Sequence, residues 1–142
     1  MRNLIITVAL ILAACNGHGP KSAKIETAGL SEAPLTVYYF HATNRCPTCI
    51  SIEANTRKVL DEYFTVPVSK GEIAFRVINV DDPGNKKLCE KFKAFGSALH
   101  VVKNEKGKET DSDLTNIAFS YSLRQPERFI NILLDTISMH YK

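Results

Sequence analysis

The sequence predicts a single α/β domain: a mixed β-sheet with helices on both faces. Two observations carry this. Short β-branched and aromatic runs alternate with segments whose apolar residues recur every three or four positions, and the resulting order is strand, helix, strand, helix, strand, strand, helix. The 142 residues are 44% hydrophobic and 23% charged, an ordinary globular composition that argues against disorder and repeat arrays. The formal charge is only +3, and no run of basic residues forms a stripe that would track a phosphate backbone, so nucleic acid is not an expected partner.

Residues 35–40, Leu-Thr-Val-Tyr-Tyr-Phe, are nearly continuous in apolar character, as expected of a central strand buried on both faces. From Cys49 onward the period changes. Ile52, Val59, Leu60, Tyr63 and Phe64 fall on one side of a helix, with Glu53, Arg57, Lys58, Asp61 and Glu62 on the other. Residues 73–80 read as a second strand, and Asp82-Pro83-Gly84-Asn85 breaks the chain before Leu88, Phe92 and Phe95 mark a short helix.

Residues 99–102 form a third strand, and Asn104-Glu105-Lys106-Gly107 turns the chain into a polar edge strand near 108–110. Residues 113–124 are ambiguous in period. Pro126 suits a first helical turn, and Phe129, Ile130, Leu133, Leu134 and Ile137 then make one apolar stripe. His100, within an apolar strand, is expected to satisfy a core hydrogen bond, and Cys89 to be a buried small hydrophobe.

The chemistry-bearing motif is Cys46-Pro47-Thr48-Cys49, where the buried strand gives way to the helix. Cys46 falls at the expected N-cap and Pro47 at the first helical position, so free backbone N–H groups and the positive end of the helix dipole face the Cys46 sulfur and favour its thiolate. Arg45 adds a nearby cation. Cys49, one turn further in, is placed to resolve a mixed disulfide formed at Cys46. His41, at the end of the strand, is the one nearby group that moves protons near neutrality, and it reads equally as a solvated strand terminus. The bland alternative for the two cysteines is an inert structural disulfide, which the helix-start position disfavours.

Residues 37–49 followed by an amphipathic helix, and then Val77-Ile78-Asn79-Val80-Asp81, resemble the thioredoxin superfamily over roughly residues 35–139. The resemblance implies a thioredoxin-like mixed sheet, a redox-active cysteine pair and a protein dithiol or disulfide as partner. Two features depart from that pattern. No proline lies between Pro83 and Pro126, so Ser97 or Ala98 stands near the place of the cis-proline that thioredoxins set against their cysteines. Tyr38 and Tyr39 occupy the neighbourhood of their buried acid. Over nearly the whole chain, Tyr38-Tyr39-Phe40-His41-Ala42-Thr43, Cys46-x-x-Cys49 and Asp113-Leu114-Thr115-Asn116 are similar to small bacterial proteins labelled nitrophenyl-compound nitroreductase subunits. That likeness implies a redox subunit. No Gly-rich nucleotide fingerprint follows any strand, so neither a flavin nor a nicotinamide cofactor is expected.

Upstream, residues 1–14 read as a signal segment: Arg2 gives a cationic start, and residues 4–12 form an uncharged apolar run too short to span a bilayer. Leu12-Ala13-Ala14-Cys15 resembles the bacterial lipoprotein signal, which implies lipidation at Cys15 and an envelope location. Asn16 after the cysteine favours the outer membrane, facing the periplasm. Residues 15–34 then form the lipidated cysteine and a Gly-, Ser- and Lys-containing tether reaching on the order of 25 Å, and residues 35–142 the domain. Two function classes follow: a membrane-anchored thiol–disulfide oxidoreductase, or a binding module in which Cys46 and Cys49, with His41, hold a soft metal ion. Oligomeric state is not readable from the sequence.

Overall fold

The computed structural model describes residues 33–142; the signal segment, Cys15 and all of the tether except Ala33 and Pro34 lie outside the described residues. Strand β1 (Leu35–His41) is interior to a four-stranded sheet and buried along nearly its whole length. It pairs in parallel with β2 (Ile73–Asn79), Leu35 against Ile73 and His41 against Asn79. On its other side it runs antiparallel to β3 (Ala98–Glu105), with Phe40 opposite Ala98. Strand β4 (Lys108–Asp113) closes the order β2-β1-β3-β4 as an exposed, polar edge. Lys106 and Gly107 join β3 to β4 with φ of 52° and 82°, the two positive values of a type I′ hairpin turn; glycine accepts this without a Cβ penalty.

The pleat of β1 divides the core. Leu35, Val37 and Tyr39 point to one face, where they meet Ile52, Val59 and Leu60 of α1 (Pro47–Tyr63) and Phe129, Leu133 and Ile137 of α5 (Pro126–Tyr141). Tyr38 and Phe40 point to the other, against Cys89 and Phe92 of α3 (Lys86–Phe92). Both faces are thus covered, as the continuous apolar run of β1 requires. The expected mixed α/β sheet with helices on both faces is the observed fold. Each fully buried Phe, Leu or Ile on the α5 stripe contributes about 1.5–3 kcal/mol relative to exposure.

Four local features differ from expectation or add to it. Tyr63 closes α1 but is exposed, and the buried side chain at that end is Phe64, the C-cap. A short helix, α2 (Thr65–Ser69), follows and buries none of its residues. Helix α3 stops because Lys93 takes a left-handed φ of 52°, with the Ala94 N–H bonded to the Cys89 carbonyl. Phe95 therefore lies beyond the helix and is 83% exposed, so it does not extend the apolar stripe of Leu88 and Phe92. The ambiguous segment after β4 contains α4 (Thr115–Tyr121), whose Thr115 N–H is held by Asp113 at 2.8 Å and whose buried residue is Ala118. Among the described residues no helix is long and apolar enough to cross a membrane.

Candidate redox site

Proline at the first position of α1 costs no hydrogen bond there, and Cys46 before it takes the extended N-cap conformation, φ −76° and ψ 160°. The Cys46 sulfur accepts the Cys49 backbone N–H at 3.1 Å, so it caps a donor that the helix leaves free. Cys46 and Cys49 form a disulfide. Their environments differ sharply: Cys46 is exposed, whereas Cys49 is 7% exposed. A partner sulfur approaching from solvent therefore meets Cys46, with Cys49 behind it.

Cys49 is held from two sides. The Tyr39 hydroxyl, rising from β1, donates to the Cys49 carbonyl at 2.6 Å. The Ser97 hydroxyl, on the loop entering β3, donates to the Cys49 sulfur at 3.4 Å. Of Ser97 and Ala98, it is Ser97 whose side chain touches the pair. A side-chain donor at that sulfur stabilises negative charge developing on it.

Arg45, expected beside the Cys46 sulfur, is engaged elsewhere. Its guanidinium lies 2.6 Å from a Glu53 carboxylate oxygen, 3.5 Å from the Cys49 carbonyl oxygen, and over the Tyr39 ring at 5.4 Å. Glu53 is gripped from its other oxygen by Arg57, at 2.9 Å to Nε and 2.7 Å to Nη2. Burial raises the Glu53 carboxyl, but the bonds from Arg57 and Arg45 outweigh it and hold the carboxyl below its ordinary value. The stabilisation this lends the fold is therefore present above the usual carboxylate range and is lost as pH falls through the lowered folded value. Burial likewise works against the Arg45 charge, and the bonds to Tyr39 and Glu53 still leave its pKa above the usual arginine value.

His41 is half-buried at the end of β1, its Nδ1 2.9 Å from the Ala42 carbonyl and its ring stacked near Tyr39. Among the described residues no group of three or more His, Cys, Asp or Glu is placed to hold a metal ion. The loop between β1 and α1 is instead pinned by a polar clamp. The Thr43 N–H donates to Asp81 at 2.7 Å, Asn79 donates to the Thr43 hydroxyl at 3.2 Å, and Asp81 N–H returns to Asn79 at 3.0 Å. The Thr43 backbone N–H, with the Thr43 hydroxyl beside it, holds the Asp81 carboxyl below its ordinary value.

Cys89 lies on α3, on the sheet face opposite α1, packed among Tyr38, Phe40 and Phe92, and burial pushes its thiol above the ordinary value. In the reduced native protein it should alkylate at least about tenfold more slowly than Cys46 and reach the same rate only after unfolding. Differential labelling with mass detection measures this, and rapid native labelling of Cys89 would place it in the redox chemistry. His100 is 4% exposed, and its Nδ1 lies 3.0 Å from the carboxylate of Asp111, an exposed residue of the edge strand β4, so the hydrogen bond expected within the core instead reaches toward the surface.

A mixed sheet in the order β2-β1-β3-β4, with a Cys-Pro-Thr-Cys disulfide opening the helix after β1, defines an α/β protein of thioredoxin-like architecture. No family model and no curated protein matches the chain. Solved structures do match it. A thioredoxin from Fasciola hepatica is 22% identical with a TM-score of 0.48, covering 77% of this chain and 83% of that one. A thioredoxin from Thermus thermophilus is 17% identical with a TM-score of 0.46, covering 72% of each chain. A malarial protein is 20% identical with a TM-score of 0.43, covering 70% of this chain and 97% of its own.

Proposed function

We propose that the protein is a thiol–disulfide oxidoreductase of the bacterial cell envelope, held to the membrane by lipid on Cys15. The observation that carries the redox reading is the asymmetry of the pair: an exposed Cys46 sulfur at a helix N-cap, bonded to a buried Cys49 one turn further in. Acting as reductant, the Cys46 thiolate attacks one sulfur of a partner disulfide, forming a mixed disulfide and expelling the first partner thiolate. The Cys49 thiolate then attacks the Cys46 sulfur, closing the internal disulfide and expelling the second partner thiolate. Two electrons pass to the partner, whose thiolates take up protons from solvent. The reverse sequence oxidises a partner dithiol. Exposed Ile50, Phe119 and Leu123 lie on α1 and in the segment around α4, and Phe119 and Leu123 share a cleft with Thr48, Ser120 and Arg124, a mixed polar and apolar surface beside the pair suited to a polypeptide partner.

A redox titration in glutathione buffers tests the reading. The pair should interconvert between about −270 and −120 mV, the range of catalytic dithiols, whereas a structural disulfide would stay oxidised below about −300 mV. The anchor is tested separately. Cys15→Ala should move the protein from the membrane to the soluble fraction, and intact mass of the wild type should show acyl chains on a Cys15 N-terminus. A mature chain beginning elsewhere without acyl mass would remove the anchor and leave the redox reading standing.

A further inference from the structure

We propose that Glu53 is a positioning residue that sets the redox poise of the Cys46–Cys49 pair by holding the Arg45 guanidinium away from free interaction with the Cys46 sulfur; this rests on the thiol–disulfide reading above. Arg45 immediately precedes Cys46, and its long side chain would otherwise be free to accompany the sulfur. It is instead drawn beneath the first turns of α1, 2.6 Å from Glu53 and within reach of the Cys49 carbonyl. Glu53 is one turn beyond Cys49 on the same helix, and Arg57 a further turn on, itself seated over the Phe75 ring at 5.1 Å. The clasp is therefore built from a residue fixed at both ends. Glu53 and Arg45 side chains are only 16% and 25% exposed, so solvent screens their charges less than those of an open surface pair.

The charged and titratable groups around this clasp are Arg45 from the loop, Tyr39 from β1, and Arg57 beside Glu53 on α1. The direction of the effect follows from Coulomb's law. A thiolate at Cys46 is favoured by a nearby cation and disfavoured by a nearby anion. With Glu53 ionised, the Arg45 cation is largely neutralised. Removing the Glu53 charge both frees the cation and deletes the anion, and each change favours the thiolate. A stabilised reduced form makes the pair more oxidising. Removing Arg45 leaves an anion without its partner and pushes the other way.

The experiment compares full-chain wild type, Glu53→Gln, Glu53→Asp, Arg45→Gln and the double variant Arg45→Gln/Glu53→Gln. Two quantities are read: the pH dependence of Cys46 alkylation in the reduced protein, and the equilibrium with glutathione. Glu53→Gln should raise the thiolate fraction at pH 6 on the order of threefold and move the dithiol–disulfide equilibrium by the same factor toward the reduced form, about 14 mV at 29.6 mV per tenfold. Arg45→Gln should move both quantities in the opposite direction, the double variant should lie between, and Glu53→Asp should return toward wild type. A merely structural Glu53 would lower thermal stability with neither quantity moving, and that result overturns the proposal, as does a shift of Glu53→Gln toward the more reducing side. Should Glu53→Gln fail to fold, the difference between Arg45→Gln and the double variant decides it: adding Glu53→Gln to Arg45→Gln should raise the thiolate fraction, and no change between the two overturns the proposal. Failure of the underlying redox reading is visible earlier, in a wild-type pair that does not titrate against glutathione at all.

Discussion

Cys49→Ser is expected to accumulate a covalent adduct with its partner through Cys46, and Cys46→Ser to accumulate none. The exposed sulfur performs the attack, and the sulfur that is 7% exposed performs the release, so deleting the second leaves the mixed disulfide with no resolver. Turnover of a disulfide peptide should fall at least about a hundredfold in both variants, because each removes an obligatory covalent step. The adduct is what separates them. In reduced Cys49→Ser, Cys46 should titrate below the free-cysteine value of about 8.5, since the α1 terminus that offers the Cys49 N–H to its sulfur persists in the variant. Non-reducing mass analysis of each variant after incubation with oxidised peptide reads the result. An adduct on Cys46→Ser and not on Cys49→Ser would reverse the assignment of attacking and resolving sulfur. Absence of any adduct in both would remove the covalent mechanism.

The parts of this molecule legible in the sequence are those where a local rule and the tertiary environment agree. Residues 35–40 are apolar on both sides of the pleat because both faces of β1 are covered, so the strand could be read without knowing what covers it. Cys46 and Pro47 mark the start of α1 through cap and ring geometry alone. Where local signals are weak, the reading fails. Helix α2 buries none of its residues and so leaves no stripe, whereas α4 sets Ile117, Ala118 and Tyr121, with Leu114 before it, on the core at helical spacing, a pattern only two turns long and so too short to settle the period. Phe95 continues the spacing of Leu88 and Phe92, but the left-handed turn at Lys93 ends the helix before it. At the site, the reading placed Cys46, Cys49 and Arg45 together, and had Ser97 or Ala98 near the pair. It left Glu53 among the solvated residues of α1, because the contact to Arg45 reaches across the loop that turns into the helix, and no periodicity encodes a side chain folding back on its own element. Tyr39 reads as a strand aromatic and, with Tyr38, as standing near the place of the thioredoxins' buried acid, but its hydroxyl bond to Cys49 depends on the packing of α1 over β1.

Phe129→Ala is expected to have the largest effect on stability of any single truncation considered, and the structure fixes its sign and scale. Phe129 is fully buried on the first turn of α5, in the core face that also holds Tyr39, Ile52, Val59 and Leu133. Truncation there removes the transfer free energy of the ring and leaves a cavity that two helices and a sheet cannot close, a loss of about 3–5 kcal/mol. Against a total of about 5–15 kcal/mol for a domain, that is a large fraction. At about 4 °C or more per kcal/mol for a domain near this size, the midpoint should fall on the order of 15 °C. Phe95→Ala deletes the same ring from a site that is 83% exposed and should cost no more than about 0.5 kcal/mol. Well below its own midpoint, Phe129→Ala should keep the pH dependence of Cys46 alkylation, because the cap, Ser97 and the Arg45–Glu53 clasp do not include Phe129. Paired thermal melts and alkylation profiles measure both halves. A Phe129→Ala loss under about 1 kcal/mol, or a Phe95→Ala loss of equal size, would mean that α5 does not close the core as described. An altered Cys46 profile in folded Phe129→Ala would instead tie the chemistry of the pair to packing on the far side of α1.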